Sequence, residues 1–282
     1  MRFPPEAFII GAQKAGTTSL AELLARHPDV RLAEPKEPQF FTRNWDNGQS
    51  WYRGCFQDAP EGSLLLDAST TYTMASLSAD ARDPPWRQQA PSRLKQVSPQ
   101  ARFIYIVRDP AERTWSGYWH TVRTGHEARP FRRAVDENPG YLATSDYAAQ
   151  IVLWLDQFPR ERFLFLHMDD LARPAETARR CFAFFGLDAE AVRISGERPR
   201  NRSYQYSRLG RLVRDAAGGE FGLKRIARPL KRVLPGWAAD AARSLLATDV
   251  PRLPDEERRW LGDYFHSRNE AFRAISGIDL NR

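Results

Sequence analysis

The sequence predicts an α/β fold: a doubly wound, mostly parallel sheet flanked by helices, with a helical C-terminal portion. Three observations predict it. Short apolar runs alternate with segments whose apolar residues recur at helical spacing. The first apolar run enters a loop bounded by Gly11 and Gly16, and that loop opens straight into a helix. Beyond about Arg193 the alternation stops, and polar, arginine-rich sequence takes over until a last aromatic helix. Strands that alternate with helices need crossovers that cover both faces of a parallel sheet.

Each element has its own signal. Ala7–Ile10 is a continuous apolar run, as a strand buried on both faces requires. Thr17–Arg26 carries Leu20, Leu23 and Leu24 on one helical face and stops at His27-Pro28. Arg31 to Phe41 reads as a loop broken by Pro35 and Pro38, and Gln49–Phe56 as a short aromatic helix. Ser63–Asp67 is a second strand, Leu64-Leu65-Leu66, that ends on an acid. Ala90–Val97 is a helix and Arg102–Val107 a third strand. A helix then runs from Pro110 to about Val122, with Asp109 as N-cap and the proline in its first turn. Ser145–Phe158 is a helix with Ile151, Trp154, Leu155 and Phe158 at core spacing. Arg162–Leu166 is a fourth strand, and Pro174–Phe185 a helix closed by Gly186. Arg198 to Arg208 reads as irregular, and Phe221–Leu234 as a basic amphipathic segment. Asp255–Ala274 is a final helix, with acids in its first turn and Trp260, Leu261, Tyr264, Phe265 and Phe272 facing inward.

The 282 residues suit a single domain, with residues 1–190 as the α/β core and 191–282 as a basic loop and helical extension. Net charge is +7, and only five of the 42 basic residues are lysine. A basic surface suits an anionic ligand, and a solvated basic face accounts for it equally. Cys55 and Cys181 lie in apolar flanks without zinc or CxxC spacing, so buried free thiols are expected and a disulfide stays open. No leader-like start and no apolar run of about 20 residues is present, so a soluble, cytoplasmic protein is expected.

The chemistry concentrates at two places. In Gly11-Ala12-Gln13-Lys14-Ala15-Gly16-Thr17-Thr18 the glycine frame is that of a P-loop, which holds phosphate on backbone N–H groups at a helix N-terminus. Its lysine sits inside the loop, and Thr17 stands where a Walker A motif has lysine. Such a loop suits a 5′-phosphate and its leaving group better than the β- and γ-phosphates of ATP. The second place is Ile106-Val107-Arg108-Asp109-Pro110, followed by Ser116 two turns into the helix. An arginine fork at a strand end plus a hydroxyl can hold a second phosphate. A strand-end arginine before a capping Asp109 is also an ordinary structural arrangement.

Together the two segments resemble the cofactor-binding motifs of sulfotransferases that use 3′-phosphoadenosine 5′-phosphosulfate (PAPS). The resemblance implies that Lys14, Ala15, Gly16, Thr17 and Thr18 hold the 5′-phosphosulfate and that Arg108 and Ser116 hold the 3′-phosphate. It implies no metal. Pro35-Lys36-Glu37-Pro38-Gln39-Phe40-Phe41 is similar to the Lys-Glu-Pro-x-Phe-Phe segment of heparan-sulfate-type sulfotransferases and their bacterial relatives, where the glutamate is the catalytic base. An acid beside two prolines and two aromatics can be held rigidly and partly desolvated, which raises its pKa. In Asp67-Ala68-Ser69-Thr70-Thr71-Tyr72, Ala68 replaces a lysine of that family, which removes one cationic contact. Arg200-Asn201-Arg202-Ser203 stands where the family has a basic loop over the 3′-phosphate, so Arg202 and Ser203 join the expected cofactor residues; a solvated loop explains them as well.

His120 is either an acceptor contact or a helix-surface histidine. Trp45, Trp51, Tyr52 and Trp86 line an acceptor cleft or belong to the core. Residues 221–234 touch an anionic membrane or form a solvated basic face. The expected activity is in-line sulfuryl transfer to a hydroxyl or amine of a carbohydrate, glycolipid or secondary metabolite, with Glu37 as base and Lys14 on the leaving phosphate. Two other functions fit parts of the sequence. Leu64-Leu65-Leu66-Asp67 mimics a Walker B strand and would suit an ATP-dependent kinase, although Gly-Lys-Ser/Thr is missing. The arginine-rich C-terminal third would suit a non-enzymatic anion- or nucleic-acid-binding protein, although it lacks a stacking pattern of aromatics; no nucleic-acid partner is expected.

Overall fold

The structure is a computed structural model of the chain; it describes residues 3–77, 86–194, 204–206, 212–213, 216 and 247–281. Its centre is a five-stranded, all-parallel sheet in the order β2-β3-β1-β4-β5. The strands are β1 (Ala7–Gly11), β2 (Val30–Leu32), β3 (Leu64–Asp67), β4 (Arg102–Val107) and β5 (Phe163–His167). From β1 the chain crosses to the edge strand β2 on one side, returns to β3 beside β1, and then passes to β4 and β5 on the other side. The winding therefore reverses between β1 and β4, and ligands bind at the carboxyl edge of such a switch point.

Alternate side chains of the strands serve two cores, as the period of a strand dictates. Phe8, Ile10, Phe103, Tyr105 and Val107 face one side and Ile9, Ile104, Ile106 and Leu166 the other; all are essentially inaccessible. The first face is covered by α2 (Gly48–Gly54), α3 (Trp86–Val97) and α7 (Tyr147–Leu155), through Tyr52, Leu94, Ile151 and Trp154. The second is covered by α1 (Thr17–Leu24) and α8 (Pro174–Phe185), through Leu20, Leu24, Cys181 and Phe182. Each such side chain contributes about 1.5–3 kcal/mol when fully removed from water. A third cluster joins α4 (Pro110–Thr124), α5 (Phe131–Glu137) and α6 (Gly140–Ala143) to α9 (Asp255–Ser276), through Trp115, Phe131, Tyr141, Leu261 and Phe265.

The expected strands and most helices are present, with differences that have physical causes. The 31–41 region is not all loop: Val30–Leu32 pairs with Leu64–Leu66 as β2 before the prolines begin. α1 ends at Leu24, where Ala25 caps it, because Pro28 lies too close for the helix to continue to Arg26. α7 begins at Tyr147, since the Asp146 side chain caps it on the Ala149 N–H. Asp109 caps α4 as expected, accepting from the Glu112 N–H at 2.6 Å, and Gly125 closes that helix in the left-handed conformation at φ 84°. α9 extends to Ser276, closed by Gly277. Residues 204–206 are not irregular: Tyr204–Tyr206 (β6) pairs antiparallel with Ala247–Asp249 (β7). Cys55 and Cys181 are both buried free thiols. The segment 221–234 lies outside the described residues. No described helix is long and apolar enough to cross a membrane.

Candidate functional site

The loop after β1 is built to present its backbone. The Ala12 N–H donates to the Ile106 carbonyl at 2.6 Å, which ties the loop to β4 across the switch point. The Ala15 N–H closes a turn on the Ala12 carbonyl at 3.1 Å. Gly11 has no room for a side chain, because a Cβ there would lie 1.9 Å from Thr73 Oγ1. Gly16 is the N-cap of α1 at φ 89° and supplies no side-chain cap. Helix geometry leaves the first-turn N–H groups without intrahelical acceptors, and their partial positive charge favours an anion. Lys14 adopts φ 71°, a left-handed conformation that costs a non-glycine residue on the order of 1 kcal/mol. Ala15 is fully buried, so only its backbone can meet a ligand; Thr17 is buried and Thr18 half-buried.

Arg108 leaves the carboxyl end of β4 and meets this loop directly. Its Nη1 donates to the Lys14 carbonyl at 3.4 Å and its Nη2 pairs with Glu112 at 3.3 Å. Its Nε is buried and has no hydrogen-bond partner among the described residues, and the same holds for the Ser116 hydroxyl on α4. Two buried donors without acceptors on adjoining elements fit an anion that accepts from both. Arg113, which the sequence did not single out, adds a buried cation beside Arg108. Its Nη2 donates to the Tyr141 carbonyl at 2.7 Å, and burial lowers its pKa to about 10, so it stays charged at neutral pH. His120 is half-buried one turn past Ser116, with Nδ1 2.9 Å from Arg123 Nη2. Arg202 and Ser203 lie outside the described residues.

Glu37 stands on the segment that crosses the same carboxyl edge. Phe40 and Phe41 are its anchors: Phe40 stacks on Tyr52 with centroids 4.3 Å and planes 8° apart. The Gln39 N–H donates to Ser69 Oγ at 2.9 Å, and Asn44 Nδ2 to the Pro38 carbonyl at 2.7 Å. The Glu37 carboxylate accepts from Thr70 Oγ1 at 3.1 Å and from the Thr70 N–H at 3.4 Å, and pairs with Lys36 Nζ at 2.9 Å. It is less enclosed than its flanks suggest, with the side chain 29% exposed. Lys36 Nζ also reaches the Ala68 carbonyl at 3.4 Å. Lys36 thus bridges Glu37 and the backbone of the turn at position 68. Thr73 Oγ1, at the far end of the same turn, donates to the Ile10 carbonyl at 2.9 Å, which joins the Glu37 segment to β1. Tyr52 belongs to the core, Trp45 and Trp51 are partly exposed around Phe40, and the Trp86 side chain lies outside the described residues.

Asp67 is the hub beneath Glu37. Its carboxylate is inaccessible and accepts from Tyr52 OH and Tyr72 OH at 2.7 Å and from Ser69 Oγ at 2.6 Å. Three hydroxyl donors occupy the oxygens that a Walker B aspartate would offer to a metal. Burial pushes the carboxyl up to about 6, against the pull of the hydroxyls of Ser69, Tyr72 and Tyr52, with a further push from Glu37. A folded pKa above the unfolded value of about 3.9 means that the folded state holds the proton more tightly. The associated stability is therefore complete below about pH 4 and lost as pH rises through about 6. In Asp67→Asn that dependence disappears. The difference between wild-type and variant melting temperatures should change between pH 4 and 7 and level off above; a difference independent of pH would contradict it.

Comparison with known proteins adds the decisive observation. A family model described as "Sulfotransferase family" matches residues 5–191, more than half of the chain. The chain belongs to the sulfotransferase family. Among curated relatives of this sulfotransferase, mouse heparan sulfate glucosamine 3-O-sulfotransferase 6 is 33% identical over 192 residues, which is 65% of this chain and 52% of the relative. Mouse bifunctional heparan sulfate N-deacetylase/N-sulfotransferase 4 is 28% identical over 211 residues, 65% of this chain and 22% of the relative. The chain thus spans about half the length, or less, of these curated relatives. The crystal structure of a sulfotransferase from Alicyclobacillus acidocaldarius superposes with a TM-score of 0.69 at 20% identity, covering all of both chains, and shares the fold. Family membership sets aside the kinase and non-enzymatic readings.

Proposed function

We propose that this sulfotransferase moves the sulfuryl group of PAPS to a hydroxyl or amine of a carbohydrate acceptor. One observation carries the proposal: Arg108 and the Lys14 loop are in hydrogen-bond contact across the β1–β4 switch point, and the Ser116 hydroxyl on the helix that follows Arg108 is buried without a partner among the described residues. That pairing offers two anion sites, which suits a nucleotide phosphorylated at both its 5′ and 3′ positions. PAPS, the donor the family generally uses, is such a nucleotide. The names of the curated relatives, which specify heparan sulfate, support a glycan as acceptor.

In the proposed reaction the acceptor oxygen or nitrogen bonds to sulfur as the bond from sulfur to the 5′-phosphate oxygen breaks. Glu37 takes the acceptor proton, and Thr70 fixes its carboxylate by two hydrogen bonds. Lys14 and the α1 N–H groups stabilise the charge left on the 5′-phosphate. Arg108 and Ser116 bind the 3′-phosphate and so select against nucleotides that lack it. In this reading the Lys36 ammonium, which contacts Glu37 and the Ala68 carbonyl, turns to the sulfuryl oxygens once the acceptor displaces it from Glu37; those two contacts support the role.

Calorimetric titration tests the donor site. Adenosine 3′,5′-bisphosphate should bind without metal and at least about tenfold more tightly than ATP with magnesium, as one charge-assisted phosphate contact provides. Preference for ATP with magnesium would overturn the proposal.

A further inference from the structure

Glu112 sits where the Arg108 site meets the last helix. One of its carboxylate oxygens takes Arg108 Nη2 at 3.3 Å; the other accepts from Arg258 Nη2 in the second turn of α9. Arg258 lies outside the family-matched segment 5–191. Its guanidinium pKa is raised by the hydrogen bond to Glu112, and Asp109 and Asp255 also face it. A carboxylate this close to Arg108 competes for the guanidinium and repels an arriving phosphate. A second guanidinium on its other oxygen cancels that charge.

We propose that Arg258 is a positioning residue for the 3′-phosphate of the nucleotide. It binds and neutralises Glu112, and Arg108 keeps its charge and orientation for the phosphate. The inference rests on the assignment of Arg108 and Ser116 to the 3′-phosphate. Arg258 is not what holds α9 in place. Leu261 and Phe265 pack against the α4 cluster, and Trp115 Nε1 donates to the Pro251 carbonyl at 2.7 Å just before the helix.

The test is titration of wild type, Arg258→Met and the double variant Arg258→Met/Glu112→Gln with adenosine 3′,5′-bisphosphate and with adenosine 5′-monophosphate. Arg258→Met should weaken the bisphosphate about fivefold, the size of a half-exposed charge contact. It should leave the monophosphate unchanged. The double variant should regain the lost affinity, because the uncompensated carboxylate is gone. Equal weakening of both nucleotides, no weakening, or no recovery in the double variant would overturn the role of Arg258. Equal affinity of the wild type for both nucleotides would instead overturn the assignment of Arg108 and Ser116.

Discussion

Lys14→Ala should lower turnover at least about a hundredfold, as loss of a preorganised charge contact to a leaving group does. The measurement is release of adenosine 3′,5′-bisphosphate from PAPS, with desulfated heparan and a simple glucosamine glycoside as acceptors. The fold should survive. The loop is fixed by the Ala12–Ile106 and Ala15–Ala12 hydrogen bonds and by the close approach of Gly11 to Thr73, none of which uses the lysine side chain. Alanine also takes over the left-handed backbone at position 14 with a strain of about the same size. Because charge on the 5′-phosphate oxygen grows as the bond to sulfur breaks, the loss should be larger in kcat than in affinity for PAPS itself. Near-normal turnover would remove Lys14 from the chemistry. Loss of PAPS affinity with kcat unchanged would make it a binding residue only.

The parts of this site that the sequence exposed are those marked by a local signal along the chain. The Lys14 loop and Arg108 each directly follow an apolar strand, and parallel strands must bring their carboxyl ends to one edge. Glu37 was legible for a different reason, its place in a short motif. What holds Glu37 was not legible: Thr70 is 33 positions away, and only the β2-β3-β1 order brings the two segments together. Arg258 meets Glu112 across 146 positions and carries no motif. Arg113 sits on a helix like any surface arginine, and only in the fold is it buried, beside Tyr105, Tyr141 and Tyr147. In the fold, the long apolar strands were plain. Val30–Leu32 was hidden because Val30-Arg31-Leu32 is short and lies between Pro28 and Pro35, where turn signals dominate.

Glu37→Gln separates a base from a brace. Glutamine has the same shape, and its carbonyl oxygen can still accept from the Thr70 hydroxyl and N–H. The anchors of the segment, Phe40 against Tyr52 and Gln39 on Ser69, are untouched. Structure and donor affinity should therefore stay within about twofold of wild type, while turnover falls by roughly 10²–10⁴, the range for loss of a positioned general base. Lys36 loses its carboxylate partner in this variant and keeps its contact to the Ala68 carbonyl, so its charge stays at the site. An acceptor with a better nucleophile at the same position should recover part of the rate, since less proton removal is then needed in the transition state. Parallel loss of bisphosphate affinity, melting temperature and rate would show that the carboxylate braces the turn at Thr70. The base would then have to be sought elsewhere, with the half-buried His120 on α4 the first to replace.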